Sequence, residues 1–278
     1  MPANLISPEW ISTSPREDIL IFEVGTDSRK VYRAGHIPGA VYFDTNLVER
    51  PPLWNRLPDD TLAQVLPAYL THNKTAILYA RGSSAAARVA VILLYAGVRD
   101  VRLLDGGFSA WLTAGYPVET GENQPVAAAT FGIMIPARPE VFVDTKAVKA
   151  ILAGQRGVIA SIQSWGEYIG ETSGYAFIQP KGRIAGAVWG HAGADKDGME
   201  AYHNPDGTAR PLDKITEAWR KRGITPDQTV VFYCGTGWRA SEAFFYAYTM
   251  GWKKIAVYDG GWQEWSRDPA NPIETGLP

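Results

Sequence analysis

The stretch TVVFYCGTGWRAS, residues 229–241, decides the reading of this chain. It opens on a short apolar run of β type, residues 230–233, and reaches Cys234, the only cysteine in 278 residues. Gly235, Thr236, Gly237, Trp238 and Arg239 follow, and from Ala240 the pattern turns helical in ASEAFFYAYTMG. A lone thiol thus stands where a buried strand ends and a helix begins, with two glycines in the turn. Glycines let the backbone bend so that several N–H groups face one spot. A helix N-terminus adds unpaired donors and partial positive charge. Such a cradle favours an anion on the sulfur, or a negative group built on it. Arg239 is expected to add a full positive charge at the rim. The blander role for Cys234, a small core hydrophobe, fits such a junction less well.

The same stretch has a counterpart upstream. AILYARGSSAAARVAVILLYAGVRDVRLLDGGFSAWL (residues 76–112) aligns with VVFYCGTGWRASEAFFYAYTMGWKKIAVYDGGWQEWS (residues 230–266) at a constant offset of 154. Tyr79 matches Tyr233, Asp105-Gly106-Gly107 matches Asp259-Gly260-Gly261, and Trp111 matches Trp265. A second pair, His36-Ile37-Pro38-Gly39-Ala40 and Arg183-Ile184-Ala185-Gly186-Ala187, is offset by 147, which places a net seven-residue insertion in the second half. The unit is too long for a solenoid repeat and reads as two copies of one domain. The 154 offset sets Ala80 opposite Cys234 and Ala85 opposite Arg239. The first copy therefore lacks both the nucleophile and the charge. We expect residues 1–122 to form a catalytically silent domain, 123–139 a linker, and 140–278 the catalytic domain.

Within each half, short apolar strand-like runs alternate with helical spacing. Residues 19–24, 41–43, 76–79 and 101–104 read as strands, and 61–70, 84–96 and 108–113 as helices. The second half repeats the order with strands at 158–162, 230–233 and 255–258, a turn and strand over 183–189, and helices at 145–153, 212–222 and 262–265. Gly97 is a helix C-cap. Alternation of this kind implies an α/β fold, each domain a mainly parallel sheet with helices on both faces. Ligands of such sheets bind beyond the C-terminal ends of the strands, which is where Cys234 falls.

Bulk properties exclude several classes. Hydrophobic content of 46% supplies a core, and a formal charge of −2 gives no basic footprint for nucleic acid. No apolar run is long enough to span a bilayer, and the N-terminus shows no secretory pattern. One cysteine allows no internal disulfide, which suits a reducing compartment, so a cytoplasmic location is expected. The four histidines lack zinc spacing.

These features together resemble the tandem-domain rhodanese family, the thiosulfate and 3-mercaptopyruvate sulfurtransferases. The marks are His36-Ile37-Pro38-Gly39-Ala40, the Cys234–Arg239 loop and the two Asp-Gly-Gly-aromatic turns. The resemblance covers nearly the whole chain, and it implies two rhodanese-like domains of which the second carries the cysteine. It implies transfer of a sulfane sulfur from thiosulfate or 3-mercaptopyruvate, through a Cys234 persulfide, to a thiol or to cyanide. Gly235, Thr236, Gly237, Trp238 and Arg239 would bind the small anionic donor. Arg183, Tyr175, Ser173 and His36 are further candidates for that surface. The blander roles are a packing or salt-bridge role for Arg239 and Arg183, an interface aromatic for Trp238 and a backbone-bonded turn histidine for His36. The Asp-Gly-Gly turns read as structural. The sequence departs from the family at Ala160-Ser161-Ile162 and Glu167, where many relatives carry arginines that hold the donor. No metal or organic cofactor is implied. Two other readings remain open. One is a phosphatase or arsenate-reductase-like thiolate enzyme, against which the short loop counts. The other is a sulfur-carrier or regulatory module that docks a cysteine desulfurase or another sulfur-relay protein.

Overall fold

The computed structural model describes residues 4–15, 17–154 and 156–278. The chain folds as two compact units. The first comprises Met1–Arg50, Arg56–Pro139 and Pro205–Thr208; the second comprises Pro51–Asn55, Glu140–Asn204 and Ala209–Pro278.

In the first unit, strands β1 (Leu5–Ile6), β2 (Ile19–Gly25), β3 (Val41–Asp44), β4 (Thr75–Tyr79) and β5 (Asp100–Leu104) form a parallel sheet in the order β1-β5-β4-β2-β3. In the second, β6 (Phe142–Val143), β7 (Gly157–Ser161), β8 (Val188–Trp189), β9 (Thr229–Tyr233) and β10 (Ile255–Tyr258) form another, in the order β8-β7-β9-β10-β6. Both are the parallel α/β sheets that the alternating pattern implied. The central strands β4 and β9 are unbroken apolar runs because both of their faces are covered, and Ala76–Tyr79 and Val230–Tyr233 are buried throughout.

The repeat holds at the level of single hydrogen bonds. Ile37 N–H donates to the Tyr79 hydroxyl at 3.1 Å, and Ile184 N–H to that of Tyr233 at 3.2 Å. Trp111 Nε1 donates to Pro117 O at 2.9 Å, and Trp265 Nε1 to Pro272 O at 3.0 Å. Phe108 N–H donates to Ala80 O at 3.1 Å, and Trp262 N–H to Cys234 O at 2.7 Å. The last pair explains the second glycine of each Asp-Gly-Gly turn. Gly107 and Gly261 have φ of 57° and 54°, and a Cβ there would lie 2.5 Å from Ala80 O or 2.7 Å from Cys234 O. Only a residue without a side chain lets the turn close on that carbonyl.

The structure departs from the sequence reading in places. The helix expected over residues 61–70 begins at Asp59 and ends at Val65, followed by a 3₁₀ turn, Leu66–Ala68. Pro67 has no N–H to continue the ladder. Strands β1 and β6 were not expected, since two residues carry no period. The helix Ala85–Ala96 is buried at all twelve positions, and Gly97 closes it with φ 103°. Residues 123–139 are tied to the first unit: Ala128 N–H donates to Pro67 O, His72 N–H to Phe131 O and Arg138 N–H to Tyr95 O.

Candidate active site

Cys234 follows the last residue of β9, the middle strand of the second sheet. The residues after it form a tight loop that feeds the helix Trp238–Thr249. Three carbonyls of the loop are tied off by hydrogen bonds. Cys234 O accepts from Trp262 N–H at 2.7 Å, Gly235 O from Gln263 N–H at 3.0 Å, and Gly237 O from Ser241 N–H at 2.9 Å and Ser241 Oγ at 2.8 Å. With these carbonyls engaged elsewhere, the loop is free to turn an N–H toward the sulfur. Gly237 N–H donates to Cys234 Sγ at 3.2 Å. Gly237 sits at the helix N-cap with φ 99°, a left-handed conformation that favours glycine. Cys234 is buried at 1% exposure, with Gly235, Thr236 and Gly237 buried around it and Trp238 half-buried.

Tyr175 forms a wall of this loop. A Cβ on Gly235 would lie 2.3–2.6 Å from atoms of the Tyr175 ring, so the close approach requires glycine. Ser173 fixes the tyrosine's segment: its Oγ accepts from Tyr175 N–H at 3.4 Å and donates to Tyr175 O at 3.0 Å. Burial pushes the Tyr175 hydroxyl above its ordinary pKa; the Arg239 charge opposes the rise and Cys234 adds to it. The group is a neutral phenol at physiological pH.

Arg239 is not at the rim, where the sequence reading set it; it is 2% exposed. Its Nη1 donates to Glu167 Oε2 at 2.8 Å and to Asp195 O at 3.1 Å; its Nη2 donates to Glu167 Oε1 at 2.9 Å and to the Tyr175 hydroxyl at 3.5 Å. Burial works against the guanidinium charge, yet its pKa is held above the usual arginine value, with the Glu167 carboxylate contributing through both its charge and its hydrogen bonds. Glu167 was not among the expected site residues. It belongs to the capping box of the helix Trp165–Ile169, where its carboxylate accepts from Ser164 N–H at 2.8 Å. The Ser-Trp-Gly-Glu spacing at 164–167 is the signal that marks it as a cap.

The structure thus gathers Cys234, Gly235, Gly237, Arg239, Tyr175 and Ser173, and adds Glu167. Arg183 is engaged elsewhere, with Nη1 on Tyr168 O at 3.1 Å and Gly276 O at 2.8 Å and Nε on Glu274 at 3.1 Å. Its strand, Arg183–Ile184, pairs antiparallel with Ile273–Glu274. His36 belongs to the first unit, fully buried, stacked on Tyr32 at 4.0 Å, with Nδ1 3.0 Å from Tyr32 O. Among the described residues no group of three His, Cys, Asp or Glu is placed to hold a metal ion. No helix among them is long and apolar enough to cross a membrane.

The family model described as a rhodanese-like domain matches residues 8–114 and again 144–268. The chain belongs to the rhodanese family. Thiosulfate sulfurtransferase YnjE of Escherichia coli (strain K12) is 51% identical over 98% of this chain and 65% of that protein. A crystal structure of YnjE superposes with a TM-score of 0.96 at 50% identity, covering 99% of this chain and 69% of the other. The chain thus spans about two thirds of the length of this relative. A probable 3-mercaptopyruvate sulfurtransferase of Pseudomonas aeruginosa is 30% identical over 89% of this chain and 87% of that protein. The sulfur carrier protein TtuD of Thermus thermophilus is 26% identical over 99% of this chain and 98% of its own length. Another rhodanese-like structure is EanB carrying a cysteine persulfide in a tetrahedral intermediate state with ergothioneine; it has a TM-score of 0.96 at 38% identity, covering 99% of this chain and 71% of the other. The tyrosine replaced in that structure precedes the persulfide cysteine by fifty-nine positions. A threonine replaced in EanB complexes with hercynine follows that cysteine by two. Tyr175 and Thr236 stand at the same two spacings from Cys234.

Proposed function

We propose that this chain is a sulfurtransferase that carries a sulfane sulfur on Cys234. The observation that carries the reading is the cysteine loop, in which the Cys234, Gly235 and Gly237 carbonyls are bonded elsewhere while Gly237 N–H reaches Sγ at 3.2 Å. Such donors stabilise an anion on the sulfur or on a second sulfur attached to it. The Cys234 thiolate attacks the outer sulfur of thiosulfate, the S–S bond breaks with its electron pair on the leaving group, and sulfite departs. With 3-mercaptopyruvate the C–S bond breaks, the thiol proton passes to carbon, and pyruvate departs. Either way the chain holds Cys234–S–S⁻. Attack on the outer sulfur by cyanide or a thiol then returns the thiolate and releases thiocyanate or a new persulfide, a two-stage exchange. The persulfide named in EanB, with a tyrosine and a threonine spaced as Tyr175 and Thr236 are here, supports the covalent intermediate. A free thiol at the reaction centre suits a reducing compartment such as the cytoplasm.

A second reading has the TtuD likeness in its favour: Cys234 relays sulfur supplied by a cysteine desulfurase or another relay protein instead of drawing it from small donors. Intact-mass measurement separates the two. A gain of about 32 Da with thiosulfate or 3-mercaptopyruvate, absent in Cys234→Ala, is the expected outcome. A gain only with a desulfurase and its substrate favours the relay. No gain from any donor, with phosphate released from an aryl phosphate, sinks both and favours a thiolate phosphatase.

A further inference from the structure

We propose that Glu167 sets the charge of the sulfur donor, so that Cys234 reacts with singly charged donors in preference to doubly charged thiosulfate. This rests on the sulfur-transfer reading above. Glu167 and Arg239 are 1% and 2% exposed and paired through both guanidinium nitrogens of the fork. The carboxylate cannot swing aside cheaply. Its Oε2 also accepts from Ser164 N–H at 2.8 Å, and a Cβ on Gly174 would lie 2.6 Å from its Oε1, so chain packs against it from both sides. The buried guanidinium beside the cysteine loop is therefore matched by a buried acid, and the pair has no net charge to offer a donor.

Two further cations of the second unit are also paired with acids. Lys196 Nζ lies 5.9 Å from the Tyr175 ring centroid and pairs with Asp197. Arg183 pairs with Glu274 at 3.1 Å. The loop amides can stabilise one sulfur anion, but an anionic donor approaching that thiolate meets repulsion that grows with its own charge. In a buried site this repulsion is weakly screened. Glu167 acts through Arg239 and is a positioning residue, not a catalytic one.

Two donors with the same reacting bond isolate the effect. Thiosulfate carries two negative charges; methanethiosulfonate carries one, with a methyl in place of an oxygen. Attack by the thiolate gives Cys234–S–S⁻ in both cases, releasing sulfite from the first and methanesulfinate from the second. The readout is kcat/KM for persulfide formation, taken as the ratio between donors, which is insensitive to the fraction of folded protein.

The wild type should favour methanethiosulfonate by about tenfold, the size of one extra unit of charge repulsion at an intermediate dielectric. Glu167→Gln frees the guanidinium charge and should move the ratio towards thiosulfate by about tenfold, while Glu167→Asp keeps the wild-type ratio. A wild type that prefers thiosulfate, or a ratio unmoved in a folded Glu167→Gln protein, overturns the inference and leaves sulfur transfer standing. Should Glu167→Gln fail to fold, the wild-type ratio alone decides. Failure of both donors to load Cys234 overturns the sulfur-transfer reading and this inference with it.

Discussion

Replacing Gly261 by alanine tests whether the Asp-Gly-Gly turn is what shapes the cysteine loop. The new Cβ would lie 2.7 Å from Cys234 O and 2.8 Å from Gly235 O, both backbone atoms with no side-chain torsion to relieve them. The left-handed φ of 54° costs a non-glycine residue about 1–2 kcal/mol. Overpacking of this kind adds about 1–3 kcal/mol. The sum, about 2–5 kcal/mol, should lower the melting temperature by about 5–15 °C. Gly107→Ala is the matched control, with φ 57° and a Cβ 2.5 Å from Ala80 O, against a loop that holds no cysteine. The two variants should lose similar stability in thermal unfolding followed by circular dichroism. At a temperature where both are folded, only Gly261→Ala should load sulfur on Cys234 more slowly, measured by intact mass over time. Equal loading rates in the two variants would show that the turn holds up the fold without shaping the thiol's surroundings, and the argument from tied-off carbonyls would fail.

Other consequences are open to direct measurement. Tyr175→Ala removes the wall over Gly235 and should speed alkylation of Cys234 by a bulky maleimide. Tyr175→Phe loses only the long 3.5 Å contact to Arg239 and should leave the rate as in the wild type; equal rates for both variants refute the wall. His191 has its pKa lowered, by burial first and by the Arg222 charge second. The folded state therefore binds that proton more weakly than the unfolded chain, so the stabilisation is present above about pH 6.5 and is lost as pH falls through the lower folded value. His191→Asn, which tolerates the φ of 68° there, should show a flatter stability profile below about pH 6.5 in urea titrations; parallel profiles would remove His191 as the cause.

What the sequence made legible was local. The apolar run ending at Cys234, the glycines after it and the helical spacing from Ala240 are neighbours in the chain, and they fix the strand, loop and helix. The constant offset between Tyr79 and Tyr233, kept through Trp111 and Trp265, exposed the second copy. What stayed hidden depended on partners far apart in sequence. The place of Arg239 is settled by Glu167, seventy-two residues earlier. Arg183 is claimed by Glu274, ninety-one residues later. Neither pairing leaves a periodic trace, so charge at the rim was the natural expectation for a side chain that the fold turns inward. Strands β1 and β6 escaped for a different reason: each is two residues long and takes its conformation from the neighbouring strand.

The hydrogen bond from Phe108 N–H to Ala80 O forms in a half of the molecule whose equivalent loop holds no thiol. A grip made where there is no thiol to serve closes the sheet's end whatever chemistry the loop carries. Grafting a thiol at Ala80 would inherit that grip but not a reactive centre. The next position holds Arg81, locked by two contacts to Glu23 at 2.7 and 2.9 Å, where the second copy has Gly235. Building a reaction centre there would require emptying that position as well as filling the one before it.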